Sequence, residues 1–541
     1  MDKRKNEFLG LLCNFYIIVL MAAVPLYTGE GYWKLGDTKY VLFRNVSILV
    51  LGCWLVLGMP GRIGVVTERI RWLKNGRIPA KLPPAFGPVD CAVAAYGVFV
   101  LLSALCSEYQ PIAWNGYNEW YMGAISQLIF VGIYFFVSRQ YNGALYPLYL
   151  GEAAFFLVTL LGLLHRLGID PLGLQRGWNS GDWEYNHMLS TLGNINWLCG
   201  YYSVALAFVL AHFFREKRFW LQTGLCVSAV AAFVLLGIQG SQGGLLILAV
   251  GAALSLILGW GDMQAMRKLF LLLGGFFLCM PIMDLLTRLR GKKAAVAADG
   301  NIFDHTVWYG WVIAAAVCAV LFGISILWKR SEYGEKGAGM KLPSGKDILG
   351  GRRKVLAAGM LLGGVGAALA VYLMFHGMDD GFGSGRGFLW RIAGEGFFQA
   401  NVKDKLLGAG PDCYGIAVFN RLGADTEVWK GEHWEGAIFT NAHNEILSQL
   451  INVGIMGMLC YAAIFLTGLW AYGSMFTWAQ QKGNGKRQER IRFLGWLGVL
   501  AIVMYGAHSL ISFQQVLNTP LLFMTLGLCE CGLRSKQKSL P

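Results

Sequence analysis

The segment 440–445, with the sequence Thr-Asn-Ala-His-Asn-Glu, contains the residue best suited to proton-transfer chemistry. It follows a long polar stretch and precedes a strongly apolar one at 447–476. A histidine at such a boundary lies where lipid head groups meet water, and imidazole exchanges protons near neutral pH. His443 is therefore a candidate catalytic base, and Asn441 and Asn444 beside it are candidate substrate-binding residues.

Two interpretations of His443 remain open at this stage. If a helix begins at Asn441, a turn of about 100° per residue puts His443 on an apolar side, which is typical of a buried structural histidine. Alternatively, the helix N-terminus keeps the imidazole neutral and attracts an anion, so that the ring can take a proton from a sugar hydroxyl. On the helix assumption, the apolar side also carries Ile446, Leu447 and Leu450, and the polar side carries Asn441, Glu445, Ser448, Gln449 and Asn452.

A second candidate is an arginine in the polar stretch before the histidine. The segment 386–397 has helical spacing, and Arg391 pairs with Glu395 at i and i+4. Arg386 has no such partner, which makes it the better candidate for a clamp that grips a ligand phosphate through two oxygens. A Leu-Gly-Ala-Gly-Pro turn follows at 407–411.

Two further helix starts are expected at the same face. Asn194 and Asn196 begin one helix, where they either cap it or donate hydrogen bonds to an anion. Ser241 and Gln242 lie in a Gly-Ser-Gln-Gly-Gly segment that opens another, for anion binding or for close helix packing. Arg44, about one turn inside a predicted span, either reaches this anion site or extends to the interface.

The elements that position these residues are membrane helices. The chain is 55% hydrophobic and 14% charged, and apolar runs long enough to cross a bilayer recur along it. We expect an all-α, polytopic transmembrane bundle with about 12–14 spans. The predicted spans are 9–26, 39–58, 89–106, 122–138, 144–164, 195–213, 219–238, 244–260, 269–287, 306–328, 354–375, 453–474, 492–513 and 517–531.

These spans divide the chain into four parts. The N-terminal membrane helices occupy 1–188 and the central ones 189–375. A long extracytoplasmic loop follows at 376–440, and the C-terminal helices, beginning with the one that carries His443, occupy 441–541. Lysines and arginines fall on one side of the predicted spans, which places both termini in the cytoplasm. The exception is the cluster Arg288, Arg290, Lys292 and Lys293.

Several classes of function find no support in the sequence. The net charge of +14 follows topology, and no basic run is interleaved with stacking aromatic residues, so no nucleic-acid partner is expected. The 12 cysteines lie mainly within spans and form neither a disulfide framework nor a zinc spacing. No metal-hydrolase or nucleotide-binding motif occurs, so no metal and no cofactor are expected.

Four stretches, taken in order, resemble the O-antigen ligase family, which includes lipid-linked glycan ligases, polymerases and oligosaccharyltransferases. They are Thr-Leu-Gly-Asn-Ile-Asn at 191–196, Gly-Ser-Gln-Gly-Gly at 240–244, 386–390 leading on to 407–411, and Ala-His-Asn-Glu at 442–445 followed by Gly-Ile-Met-Gly at 454–457. The resemblance covers roughly residues 190–460. It implies an inverting, metal-independent glycosyltransferase on the outer face of the bacterial cytoplasmic (inner) membrane.

Such an enzyme passes a glycan from an undecaprenyl-diphosphate carrier to a hydroxyl of a lipid, protein or glycan acceptor. The resemblance assigns His443 as base or acceptor-orienting group and Arg386 as diphosphate clamp. Family members commonly have arginine where this chain has Gln242. Three consequences are open: Arg44 or Arg391 replaces that arginine, the donor is held differently, or activity is lost. Two alternatives remain: a repeat-unit polymerase of the same superfamily, and a transporter or flippase of lipid-linked glycans.

Overall fold

A computed structural model describes residues 3–74, 86–179, 182–259, 262–291, 294, 308–334, 379–423, 439–481 and 485–537. These residues are almost entirely helical. The N-terminal helices are α1 (Lys3–Ile18), which continues through a π-helical turn (Val19–Ala23) into α2 (Val24–Leu26), then α3 (Leu35–Lys74), α4 (Pro88–Cys106), α5 (Gln110–Asn115), α6 (Ala124–Gln140), α7 (Tyr146–Arg166) and α8 (Trp183–His187).

A two-stranded antiparallel hairpin, β1 (Met188–Leu189) and β2 (Gly193–Asn194), leads into the central helices. These are α9 (Ile195–Arg215), α10 (Phe219–Ile238), α11 (Gln242–Gly259), α12 (Met263–Arg290) and α13 (Trp308–Gly334). The remaining helices are α14 (Phe382–Phe398), α15 (Val402–Leu407), α16 (Tyr414–Leu422), α17 (Glu445–Gln481), α18 (Lys486–Ser509) and α19 (Thr519–Gln537).

Ten of the described helices are long and apolar enough to cross a membrane. Each of the ten contains or closely overlaps a predicted span, so the expectation of a polytopic helical membrane protein is confirmed. Two more predicted spans, 122–138 and 244–260, become the shorter apolar helices Ala124–Gln140 and Gln242–Ile257. The predicted span 517–531 becomes α19, a helix outside both groups, and 354–375 lies outside the described residues.

One hydrophobic core runs through the bundle, from α1 to α19. Helix α9 lies at its centre, with 94% of its most apolar window buried, because its sequence is apolar on all sides. Helix α17 packs against α4 and α18, and α19 packs against α6. Helix α13, with 11% of its window buried, packs against α12. The apolar face that α13 leaves exposed is what a lipid-facing helix requires.

The predicted extracytoplasmic loop contains folded structure, which we call the cap (residues 379–423). Its helices α14, α15 and α16 have a second hydrophobic core of their own. In this core, Trp390 and Ile392 of α14 pack with Tyr414 and Val418 of α16 and with Ile451 of α17. The cap is therefore seated directly on the beginning of the histidine-bearing helix.

A break in α17 receives the cap's glycine turn. Gly454 has φ 69° and ψ −176° inside the helix, a conformation open essentially to glycine alone. A Cβ added there would lie 2.4 Å from the backbone of Leu406. Upstream of the break, the carbonyl oxygens of Ile451 and Asn452 accept hydrogen bonds from the backbone of Ala409 and Gly410, each at 2.9 Å. The helix is broken where the cap must approach its backbone.

Candidate active site

Helix α17 begins at Glu445, four residues later than the helix assumption places it. The N-cap residue of α17 is Asn444, whose side-chain Oδ1 accepts a hydrogen bond from Leu447 N at 3.1 Å. His443 precedes the helix and has a left-handed backbone with φ 46°. The backbone N–H of His443 donates to Oδ1 of Asn441 at 3.0 Å. The expectation that His443 lies in the first helical turn, on a face with apolar neighbours, is therefore wrong.

The imidazole of His443 packs edge-to-face against Phe513, with ring centroids 4.9 Å apart. Burial, followed by the positive charge of Arg386, lowers the pKa of His443 to about 4. The ring is therefore neutral at physiological pH. The expectation of a neutral imidazole agrees with this, but its cause is desolvation and a neighbouring guanidinium instead of a position within the helix.

Arg386 lies in the first turns of α14 and bonds only to carbonyl oxygens in the described part of the chain. Its Nε donates to Ile511 O at 3.1 Å, and its Nη1 donates to Gly383 O at 2.7 Å. Burial lowers the pKa of Arg386 from its ordinary value. Its charge also lies within electrostatic reach of Cys199 in α9 and His508 in α18. A cation without a carboxylate partner is thus held where the cap meets the bundle.

The connection between α18 and α19, residues 510–518, is the part of the site that sequence analysis missed. Arg386 bonds to Ile511 O, Asn444 Nδ2 donates to Leu510 O at 3.0 Å, and His443 packs on Phe513. This connection therefore holds the predicted base and the predicted clamp together. Its signal in the sequence is a run of amides and hydroxyls between two apolar helices, Ser-Phe-Gln-Gln-Val-Leu-Asn-Thr at 512–519.

The starts of α9 and α11 meet, as the expectation of a shared face requires. Asn194 caps α9 by accepting from Asn196 N at 2.8 Å. Ser241 caps α11 by accepting from Gly243 N at 3.2 Å, and its hydroxyl donates to Oδ1 of Asn196 at 2.9 Å. The side-chain Nε2 of Gln515 donates to Asn196 O at 3.5 Å, which ties this junction to the connection 510–518. Capping is thus the observed role of Asn194 and Ser241.

Three predicted substrate-binding residues are not brought into this group by any contact among the described residues. Arg44 contacts its neighbours Asn45 at 3.2 Å and Tyr40, whose ring centroid is 5.4 Å away. Arg391 pairs with Asp380 at 2.6 Å and with Glu395 at 3.1 Å, the second as predicted. Gln242 is exposed beside Ser241. The two acids already neutralise Arg391, which disfavours it as a phosphate ligand.

Arg166, at the end of α7, is a second cation that the sequence analysis did not single out. It is buried behind the turn that precedes α11, where it hydrogen-bonds to Gln239 O. Its Nε and Nη1 have no hydrogen-bond partner within the described structure. The Oε1 of Gln239 in turn accepts from Ser241 N at 3.0 Å. Arg166 therefore supplies positive charge behind the α11 start, where Gln242 supplies none.

Glu445, the first residue of α17, anchors the site from the bundle side. Its carboxylate accepts hydrogen bonds from Tyr461 and Tyr505, the latter at 3.1 Å, and from Ser509 at 3.0 Å. These partners lie on α17 and α18, so the carboxylate fixes the start of one helix against the end of the other. It thereby orients the two residues that precede it.

No protein-family model matches this chain. No curated protein matches it either. The O-antigen ligase resemblance therefore stands on the four stretches of sequence alone, and the geometry around them is an independent observation. That geometry is a neutral imidazole, a guanidinium with no carboxylate partner in the described part of the chain, and two capped helix starts joined by one connection. Such an arrangement suits an anion beside a group that takes up a proton.

Proposed function

We propose that this protein is an integral membrane glycosyltransferase that transfers a glycan from an undecaprenyl-diphosphate carrier to an acceptor hydroxyl. The reaction takes place on the outer face of the bacterial cytoplasmic membrane, without a metal and with inversion at the anomeric carbon. One observation carries the proposal: Arg386 is half-buried without a carboxylate partner among the described residues, next to a neutral His443.

The guanidinium is the natural ligand of the donor diphosphate. An arginine that bonds only to carbonyl oxygens keeps its full charge, because carbonyl groups carry partial charges. A diphosphate beside it gains strong charge-assisted hydrogen bonds. As the bond between the anomeric carbon and the diphosphate oxygen breaks, negative charge grows on the leaving group, and Arg386 stabilises it more strongly than in the ground state.

Donor binding also prepares the base. The charge of Arg386 contributes to the low pKa of His443, so a bound diphosphate that compensates this charge raises the pKa of the imidazole. A base whose pKa approaches the ambient pH is more effective in proton transfer. The acceptor oxygen then attacks the anomeric carbon from the side opposite the diphosphate, its proton passes to His443, and undecaprenyl diphosphate leaves.

The test uses the full chain in lipid nanodiscs with a synthetic undecaprenyl-diphosphate oligosaccharide, in the presence of EDTA. We expect the wild type to release undecaprenyl diphosphate and to form a glycosylated acceptor. His443→Ala and Arg386→Ala should each lower the rate by about 100-fold or more, the scale of a lost general base or oxyanion donor.

Matched controls come from residues outside the site. His187→Ala removes a half-buried histidine that packs on Trp183, and Arg288→Ala removes an exposed arginine paired with Asp284. Both controls should retain wild-type rates. Transfer at a wild-type rate by His443→Ala would contradict the role of this residue as a base. A wild-type protein that moves the lipid-linked glycan across vesicles without any transfer would instead favour a flippase.

A further inference from the structure

An aromatic row extends from the candidate base to the opening of α9. His443 packs edge-to-face on Phe513, and Phe513 packs on Trp120 with ring centroids 4.8 Å apart at 85°. Trp120 in turn meets Trp197 at 5.9 Å and 74°. The last two rings, half-buried and nearly perpendicular, form what we call the aromatic corner (Trp120 and Trp197). One ring, Phe513, separates the corner from His443.

The corner is held by the cap. Trp120 belongs to a tight turn in which Glu119 and Tyr121 both have left-handed backbones, with φ 71° and 52°. The side chain of Asp412 accepts hydrogen bonds from both ends of this turn, Tyr117 N at 2.8 Å and Met122 N at 3.1 Å. Trp120 is therefore kept in place by a buried residue of the cap.

Helix α3 packs against both sides of the aromatic corner at a glycine. A Cβ added to Gly36 would lie 2.7 Å from Glu119 O and 3.0 Å from the ring of Trp197. Only a residue without a side chain lets α3 approach both. The two tryptophans, which are distant in sequence, are thus brought together by close approach of a third element.

A narrow crevice with a polar rim runs beside the corner. Besides the two tryptophans it is lined by Gly36, Lys39, Glu119 and Gln515, and by the apolar Val516 and Leu517. The ammonium of Lys39 is occupied by the carbonyl oxygens of Val24, Pro25 and Tyr27. The side chain of Glu119, in contrast, is exposed at the rim.

We propose that the aromatic corner binds a sugar ring of the transferred glycan, and this rests on the proposed function. A pyranose has an apolar face of C–H groups, which suits the electron-rich face of an indole, and hydroxyls at its edge. The exposed carboxylate of Glu119 at the rim accepts hydrogen bonds from those hydroxyls. The crevice itself is too narrow for a sugar, so the ring rests across its rim against the tryptophans.

The alternative occupant is the polyprenyl tail of the donor. A hydrocarbon chain gains nothing from the carboxylate of Glu119. It would also desolvate this exposed charge without a hydrogen bond in return, which a polar ligand avoids. The sugar is therefore the better match in chemistry.

The experiment measures glycan binding and transfer separately, on the full chain in nanodiscs. The binding probe is the water-soluble oligosaccharide of the synthetic donor, freed of its lipid, and saturation-transfer NMR reports its contact with protein. Trp120→Ala should abolish the NMR saturation-transfer signal of the oligosaccharide. It should also raise KM for the donor by about tenfold, while kcat changes little. Trp120→Phe should largely restore both. Trp33→Ala, which removes a tryptophan that is 71% exposed elsewhere, should match the wild type.

The outcomes distinguish the subsite from the proposed reaction. If the wild type transfers glycan and Trp120→Ala binds and transfers equally well, the subsite is wrong and the reaction stands. If the oligosaccharide binds in a Trp120-dependent way and no transfer occurs, the reaction is wrong and the subsite stands. Should Trp120→Ala aggregate on size exclusion, Glu119→Ala at the exposed rim decides: unchanged binding and KM in that variant overturn the proposal.

Discussion

At the scale of single residues, the site brings together an imidazole and a guanidinium, and a positive charge on one disfavours a positive charge on the other. Protonation of His443 is unfavourable beside Arg386, and both side chains are largely removed from solvent. In the unliganded protein the pair therefore contains a single positive charge, which lies on the guanidinium. An anion reverses this balance because it compensates Arg386 and favours a proton on His443.

Arg386→Gln tests this electrostatic link directly. The substitution removes the charge and should raise the pKa of His443 from about 4 toward the 6.5 of a free histidine, although burial still holds it below that value. NMR titration of the imidazole, assigned by comparison with His443→Gln, measures the shift. Arg391→Gln is the control, since Asp380 and Glu395 already neutralise that charge. An unchanged pKa in Arg386→Gln would contradict the link.

The sign of the linked stability follows from the same shift. Between pH 6.5 and about 4 the unfolded chain binds a proton at His443 that the native protein does not. The contribution of His443 to stability is thus complete above pH 6.5 and is lost as the pH falls toward 4. In Arg386→Gln the pH range over which this stability is lost should become narrower, because its lower limit rises with the pKa of His443.

The sequence predicts both candidate residues of the site, whose roles stay a prediction, but the structure places the backbone of one of them differently. His443 and Arg386 were chosen by residue type and position, and the structure brings them together. The helix start was misplaced because the 100° spacing assumes a helix from Asn441, whereas the carboxamide of Asn444 caps it. Asparagine serves equally well inside a turn and at a cap, so spacing alone does not separate the two.

At the scale of elements, the site depends on backbone contacts that leave no chemical signature. Arg386 and Asn444 both bond to carbonyl oxygens of the connection 510–518. Any residue offers a carbonyl oxygen, so residue types do not reveal such contacts. Apolar periodicity predicted the helices themselves, because burial in a membrane demands it, but not which ends meet.

Gly454→Ala should show how strongly the cap depends on the break in α17. The backbone conformation alone costs about 1–3 kcal/mol in a residue with a side chain, and the added Cβ would collide with Leu406. We expect a lower melting temperature in detergent and loss of transfer. Gly473→Ala, in the same helix with open space around it, should be neutral or slightly stabilising. Equal melting temperatures would contradict this account.

At the scale of the whole molecule, several cations around the openings at the site end bond to carbonyl oxygens: Lys39, Arg166, Arg290 and Arg386. The opposite end has cations of both kinds, because Asp90 pairs with Arg139 and Arg534 while Lys268 bonds to carbonyl oxygens. Carbonyl oxygens carry only partial charges, so the cations they hold at the site end retain positive charge there, which suits the proposed anionic lipid carrier.

This arrangement also accounts for the exception in the predicted orientation. Arg290 donates to Leu167 O at 2.8 Å and to Gly168 O at 3.1 Å, just past the end of α7. A cation at a helix C-terminus is stabilised by the last carbonyl groups and by the helix dipole. Arg290 thus lies with the segment 165–194, which the charge pattern predicts to be extracytoplasmic, and packing outweighs the usual preference for a cytoplasmic position.

The orientation can be tested with protease sites placed in the full chain. A site inserted after Gly177 or after Gly291, both exposed, should be cut by protease added to intact spheroplasts. A site appended after Pro541 should be cut only after lysis, because both termini are predicted to be cytoplasmic. Cleavage after Gly177 but not after Gly291 would contradict the contact of Arg290 with α7. Cleavage at the C-terminal site alone would show that the protein has the opposite orientation in the membrane. The site of the proposed reaction would then face the cytoplasm.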